Sequence, residues 1–505
     1  MIRPFLTYAL VSVFALLPLA GCAEPPAAMP PDSTEINISE AMKESLVYIK
    51  VSAYSFEMLQ PWRSADLVER SGFGCAVGPN RIITTALNVA DAALVEVRRY
   101  GRNEYIGAKV KVVDYECNLS LLELDSEAMG EPLRPITFSE RYEKGAKLES
   151  YWLSGSGDIV AGRGVLDRAR VRKSVASYAQ FLEYVAAGTS AESGKGRLFS
   201  IGGEGIGIAC RADTGRQEAG LITAGTINHF LADVVDGEYR GFGVAGFATQ
   251  SLLDPSLRAK LGMGDGMKDG VYVSKVHKLG TGCDVLKVGD CILKMDGWQL
   301  DAYGRYLDAD FERIAYDHII NSKEIGEAMT MEIWRDGKSM AIEVPVTNFK
   351  VSDMLVPYYE YDKKPEYIVT GGFVIQKLTR NYLAMWGEGF AGKAPPHLYR
   401  YYRNHAFDPG DERREIVVLT YVLPAEINLG YHRLGRLVIS RFNGMSITCL
   451  ADVLAAKVLN PDGPFDVIEF EQDNPTVVIP RAELVAADAM IKQAYGIREL
   501  SRVDP

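Results

Sequence analysis

Between residues 36 and 231 the apolar positions fall in short β-type runs, at 46–51, 72–77, 81–85, 93–99, 108–113, 119–124, 148–153 and 206–210, separated by glycine and turn residues. Many short strands with turn signals between them predict a sandwich or barrel. Two later stretches repeat one another. Residues 289–298 and 435–445 each open on a glycine, run through a β segment and turn at Asp296-Gly297 or Asn443-Gly444, with a helical stretch and a closing strand after them. That shared order predicts a duplicated α+β unit. Phe311, Ile314, Ala315, His318 and Ile319 recur at helical spacing, which predicts a helix around 311–321.

The first 22 residues follow a different pattern, with one early charge at Arg3, an apolar run over 8–19 and small residues before a cysteine. This reads as a secretory signal peptide, too short for a comfortable membrane span. Its ending, Leu19-Ala20-Gly21-Cys22, resembles the bacterial lipobox, which makes Cys22 a lipidation site. Residues 23–36, with prolines at 25, 26, 30 and 31, read as an extended tether. By the same resemblance, Ala23 after the cysteine implies an anchor in the outer membrane of a bacterial cell envelope, facing the periplasm. The lipid is the expected membrane attachment.

Composition narrows the partners. In 505 residues, 55 Lys and Arg stand against 66 Asp and Glu, a formal charge of −11. Nucleic acid is therefore a poor partner for this chain. Besides Cys22 the cysteines are Cys75, Cys117, Cys210, Cys283, Cys291 and Cys449; their spacing fits no metal pattern, and buried thiols and disulfides both stay open. No cofactor is expected.

Ser71-Gly72-Phe73-Gly74, the run from Arg81 to Ala92, and the run from Asp114 to Leu124 resemble successive landmarks of the HtrA/Deg proteases. Residues 239–346 resemble the first Deg PDZ domain. Gly371-Gly372-Phe373-Val374, Leu378-Thr379 and Ile427-Asn428-Leu429-Gly430-Tyr431 are similar to the second PDZ region of the plant-type branch. The resemblance implies a mainly β fold with some α: a chymotrypsin-like double β-barrel at 37–232, a first PDZ domain at 237–348 and a second PDZ-like domain at 355–490. It also implies a homo-oligomer, a trimer or a multiple of trimers.

The family's chemistry needs a serine nucleophile, a histidine to take its proton and an aspartate to orient that histidine. Here the histidine position reads Leu87 in Thr84-Thr85-Ala86-Leu87-Asn88-Val89, and the aspartate position reads Asn118. The best local match to the nucleophile loop, Gly202-Gly203-Glu204-Gly205-Ile206-Gly207, puts Glu204 at the serine position. The six histidines are His229, His277, His318, His397, His405 and His432, so no general base of near-neutral pKa precedes residue 229. The expected reading is a degenerate triad with no catalytic residue and no metal. A working serine endopeptidase with a displaced active site, built on Ser193 with Lys195 or on Ser200 with Glu204, is the alternative.

What remains is binding. PDZ domains add a peptide as a strand to an open sheet edge and hold its terminal carboxylate on backbone N–H groups of the preceding loop. Tyr239, Arg240, Gly241, Phe242, Gly243 and Val244 stand where the resemblance puts that loop, with Phe311 and His318 on the facing helix. The expected partners are unfolded polypeptides or protein C-termini, and a partner protease. In the second region the run Tyr399-Arg400-Tyr401-Tyr402-Arg403 offers an aromatic and basic surface for assembly or for ligand capture. The chain is thus expected to be a non-catalytic scaffold, chaperone-like holder or protease regulator.

Overall fold

Strands β1 (Leu46–Ser55), β2 (Asp66–Ala76), β3 (Arg81–Thr85), β4 (Ala92–Arg99), β5 (Tyr105–Asp114) and β6 (Leu119–Leu124) close into a barrel in the order β1-β2-β3-β6-β5-β4. The computed structural model describes residues 36, 38–189, 195–235, 237–264, 266–387, 389–459, 463–471 and 475–504. The expected signal peptide and Cys22 lie outside the described residues. Alternation drives the closure: Val47, Ile49, Val51 and Ala53 of β1 all point inward and are buried, while the residues between them face out.

A second closed barrel follows, from β7 (Lys147–Leu153), β8 (Ile159–Lys173), β9 (Gln180–Ala187), β10 (Leu198–Ile201), β11 (Glu204–Asp213) and β12 (Glu218–Thr223), in the order β10-β11-β12-β9-β8-β7. Leu166, Leu182, Tyr184, Phe199, Ile206 and Leu221 fill it. The buried Glu183 lies between Arg170 and Arg211, at 2.7 Å from each, which compensates the charge. Helix Ala224–Val235 leaves this barrel with Ile227, Phe230 and Asp233 on its buried face.

The middle domain is a sheet in which β13 (Phe247–Ser251), β14 (Val271–Val276) and β15 (Cys291–Met295) are followed by the hairpin Ala328–Arg335 and Lys338–Pro345. The helix expected over 311–321 is corrected. Glu312–Ala315 is a strand, paired with Arg305–Asp308, and the helix is confined to Asp317–Asn321. Asp308 Oδ1 accepts the N–H groups of Asp310 and Phe311, and Glu312 takes φ +62°, so the chain turns where the helix would have begun. Helical spacing over so short a stretch did not outweigh this turn.

The C-terminal sheet runs through Val477–Pro480, Phe465–Phe470, Leu437–Phe442, Val417–Val422, Phe373–Lys377, Tyr367–Thr370 and Ser501–Arg502, so it reaches past the expected limit at 490. The two repeated stretches form the same device. Cys291–Met295 turns through Asp296-Gly297 onto Trp298–Gln299, and Leu437–Phe442 turns through Asn443-Gly444 onto Met445–Ser446. All four turn residues have positive φ, as a tight right-twisted hairpin requires.

Side chains weld these parts together. Tyr178, on the loop before β9, stacks on Phe349 at 5.3 Å and meets Phe407 edge-on at 5.1 Å. Asp91 and Asp362 each accept the other's backbone N–H, at 2.6 and 2.7 Å, joining the first barrel to the segment that leads into the C-terminal sheet. No described helix is long and apolar enough to cross a membrane.

Candidate functional site

Strand β3 delivers Leu87 on the short helix Ala86–Val89, and Asn118 stands immediately before β6, which pairs with β3. The structure brings the two together. Asn118 Oδ1 accepts the Leu87 N–H at 3.1 Å, and the Asn118 carbonyl accepts the Ala86 N–H at 3.1 Å. Asn118 takes φ +62°, a conformation asparagine tolerates better than most residues. Neither side chain exchanges a proton near neutral pH, so this pair performs no acid–base chemistry.

The segment Lys195–Gly196 of the second barrel meets Phe73 and Asn88, beside Leu87, and Glu204 is not part of it. The Lys195 carbonyl accepts the Phe73 N–H at 2.8 Å and Asn88 Nδ2 at 3.0 Å. Gly196 takes φ +83°, and a Cβ there would sit 2.2 Å from the Phe73 carbonyl oxygen. Glu204 instead follows the Gly202-Gly203 turn of the β10–β11 hairpin, opposite Ile201, and is exposed. Two consecutive positive-φ glycines make a hairpin turn, and that produced the glycine-rich string read as a nucleophile loop. Ser193 lies outside the described residues. Ser200 is buried in β10, paired with Glu149 and Gly205.

The loop 239–244 packs between the first barrel and the helix Ala224–Val235. The Asp233 carboxylate, from helix Ala224–Val235, accepts the N–H groups of Arg240 and Gly241 at 2.6 and 2.7 Å. The Tyr239 hydroxyl donates to Asp114 Oδ2 in the first barrel. Val244 donates its N–H to the Thr347 carbonyl at 3.1 Å, and its carbonyl accepts the Thr281 N–H at 2.7 Å. A Cβ on Gly243 would lie 2.8 Å from the Ile320 carbonyl oxygen, so loop and helix are in direct contact. Within the loop the amides of Arg240 and Gly241 are therefore satisfied internally, and both backbone groups of Val244 are engaged.

Phe242, Phe311 and His318 do come together, around a cleft of about 570 Å³ between the middle domain and the second barrel. Phe242 stacks on His229 at 4.5 Å and meets Phe181 edge-on at 5.1 Å; Phe311 meets His318 edge-on at 5.6 Å. Burial lowers the His318 pKa, opposed by the Asp308 carboxylate. Next to it, Asp317 is pushed up to about 6 by burial, against a hydrogen bond from Gln180 Nε2. Sequence reasoning missed His229 and Asp233. Their spacing of four on one helix face was the available signal.

In the C-terminal domain the Tyr399–Arg403 run lies on helix Pro396–His405, and its tyrosines face inward. Tyr401 donates to both Glu471 oxygens, at 2.9 and 2.8 Å, and Tyr402 lies 5.8 Å from Phe390. The Arg380 guanidinium stacks 4.3 Å from both Tyr358 and Tyr359. Arg400 and Arg403 are exposed. The six described cysteines are free thiols; burial pushes Cys75 up to about 12 and Cys210 and Cys291 up to about 11. Among the described residues no group of His, Cys, Asp and Glu could hold a metal ion.

Comparison with known proteins places these features. Residues 356–502 match the PDZ domain family. The chain is 27% identical over 363 residues to "Protease Do-like 4, mitochondrial" of Arabidopsis thaliana, covering 70% of this chain and 67% of that protein. It is 28% identical over 445 residues to "Protease Do-like 2, chloroplastic" of the same plant, covering 86% of this chain and 71% of that protein. Among solved structures, an HtrA-type protease AlgW with a decapeptide aligns over 61% of this chain and 96% of its own, at 15% identity and a TM-score of 0.46. In its relatives and in its C-terminal PDZ match, the chain is similar to the HtrA/Deg proteases.

Proposed function

We propose that this protein is a non-catalytic HtrA/Deg-type lipoprotein that holds polypeptide segments in the cleft around Phe242, Phe311 and His318. It serves as a scaffold, chaperone-like holder or regulator of another protease, and is anchored through Cys22 in the outer membrane, facing the periplasm. The observation that carries the reading is the Leu87–Asn118 pair. Its polar atom is spent on capping a helix, and the sequence offers no histidine before residue 229 to replace the missing base. The middle domain is read as the first of two PDZ-like units because its β15 hairpin and element order repeat those of the matched PDZ region.

The test incubates the chain from Ala23 onward, which omits Cys22, with unfolded casein and a fluorophosphonate probe, beside an active HtrA protease. The expected result is no cleavage and no label. Cleavage that persists through repurification and disappears on Ser193→Ala or Ser200→Ala overturns the non-catalytic reading. Anchoring is tested separately, by radiolabelled palmitate incorporation into the full chain and its loss in Cys22→Ser.

A further inference from the structure

The cleft between the middle domain and the second barrel has a floor and a rim of different chemistry. Leu182, Tyr184, Phe242 and Phe311 form an apolar and aromatic floor, while Glu140, Asp310 and Glu324 bring three carboxylates to the rim. Among the described residues no lysine or arginine lines the cleft. The three acids are exposed, and among the described residues none is paired with a Lys or Arg: Asn228 Nδ2 donates to Glu140 at 2.8 Å, and His229 Nε2 stands 3.9 Å from Glu324. That histidine is 12% exposed, and its Nε2 makes no hydrogen bond among the described residues.

We propose that this cleft takes an internal, cationic stretch of polypeptide, an arginine or lysine beside an aromatic or aliphatic residue, and does not take a free C-terminal carboxylate. The inference rests on the reading of the cleft as a polypeptide-holding site, and it names the ligand class. Three facts support it. The amides of Arg240 and Gly241 already hold a carboxylate, that of Asp233, which is 6% exposed. A ligand carboxylate brought there would meet a buried like charge within a few ångströms. Val244 has both backbone groups engaged, so no strand adds at that point. The rim carboxylates favour a cation, and the aromatic floor accommodates the apolar stem and the charged head of Arg or Lys. The C-terminal domain repeats the device, since Asp488 Oδ1 accepts the Gly371 N–H at 2.7 Å.

The experiment measures fluorescence anisotropy of labelled peptides with the chain from Ala23 onward. One hexapeptide alternates Phe and Arg and is acetylated and amidated; a second replaces Arg by Glu; a third is an apolar peptide with a free C-terminal carboxylate. The capped Phe/Arg peptide is expected to bind, to weaken at least tenfold between 50 and 500 mM salt, and to weaken at least tenfold in E140Q/D310N/E324Q. These are surface changes, and circular dichroism checks that the variant is folded. The Glu peptide is expected to bind at least tenfold more weakly. Asp233→Ala is expected to admit the free-carboxylate peptide by releasing the two amides. Preferential binding of that peptide by the unaltered chain overturns the proposal while leaving the holder reading intact. Unchanged binding of the Phe/Arg peptide in the triple variant also overturns it. Failure of all three peptides to bind up to millimolar concentration overturns both readings.

Discussion

Asn118 accepts the backbone N–H of Leu87 on its side-chain oxygen at 3.1 Å and that of Ala86 on its carbonyl at 3.1 Å. Asn118 thus caps the start of the helix that carries Leu87. Removing the cap should cost stability. Asn118→Ala loses a buried hydrogen bond and forces alanine into a left-handed conformation, for a combined loss of roughly 2–3 kcal/mol. Asn118→Gly keeps the backbone conformation and should lose less. Urea denaturation of the two variants checks the order.

Gly196 and Gly202 separate two reasons for a glycine. Both have positive φ, but a Cβ on Gly196 meets the Phe73 carbonyl at 2.2 Å, while nothing lies within 4 Å of one on Gly202. Gly202→Ala is expected to cost about 1 kcal/mol. Gly196→Ala should cost several times as much, because backbone must move, and soluble yield together with the unfolding midpoint will show it.

Asp317 supplies a pH dependence with a definite sign. Burial raises its pKa from 3.8 to about 6, so the folded chain binds the proton more tightly than the unfolded one. Its contribution is most favourable below about pH 4 and is lost as pH rises through 6, by roughly 2–3 kcal/mol at neutral pH. Asp317→Asn keeps an acceptor for Gln180 and removes the charge. Its thermal midpoint should exceed that of the unaltered chain at pH 7.5 and match it at pH 4.

Tyr178 ties the second barrel to the aromatic cluster around Phe349, Tyr358 and Phe407. Tyr178→Ala opens that cluster, at a cost of about 3–5 kcal/mol. Limited proteolysis should then cut between residues 346 and 356 faster than in the unaltered chain.

The thiols should react by burial. Cys75 and Cys117 are buried and their pKa values are raised, whereas Cys283 is half-buried. At pH 8 an aromatic disulfide reagent is expected to label Cys283 in the folded chain, and Cys75 and Cys117 only after denaturation.

Several parts of the fold and site were legible in the sequence. The barrel strands follow from period-2 alternation, as in Val47, Ile49, Val51 and Ala53, and the paired Asp-Gly and Asn-Gly turns revealed the repeat at 289–298 and 435–445. Leu87 and Asn118 were located from local motifs, because the residues around them keep the spacing that brings β3 beside β6. Glu204 and the helix over 311–321 were misplaced, since a glycine-rich hairpin turn reads like a loop and a short strand can imitate helical spacing.

By itself the sequence determined what this protein lacks: a histidine anywhere before residue 229, and an acid at position 118. Those are statements of residue identity, which folding does not alter. Only the tertiary structure decided that Asp233 fills the amides of Arg240 and Gly241, and that Glu140, Asp310 and Glu324 converge on one cleft. Glu140 and Glu324 are far apart along the chain, and they meet because helix Ala224–Val235 packs on β11 and β12 while the segment ending at Asn321 packs on β9, the next strand of the same barrel. Which charge faces which amide is settled by that packing, and no local spacing encodes it.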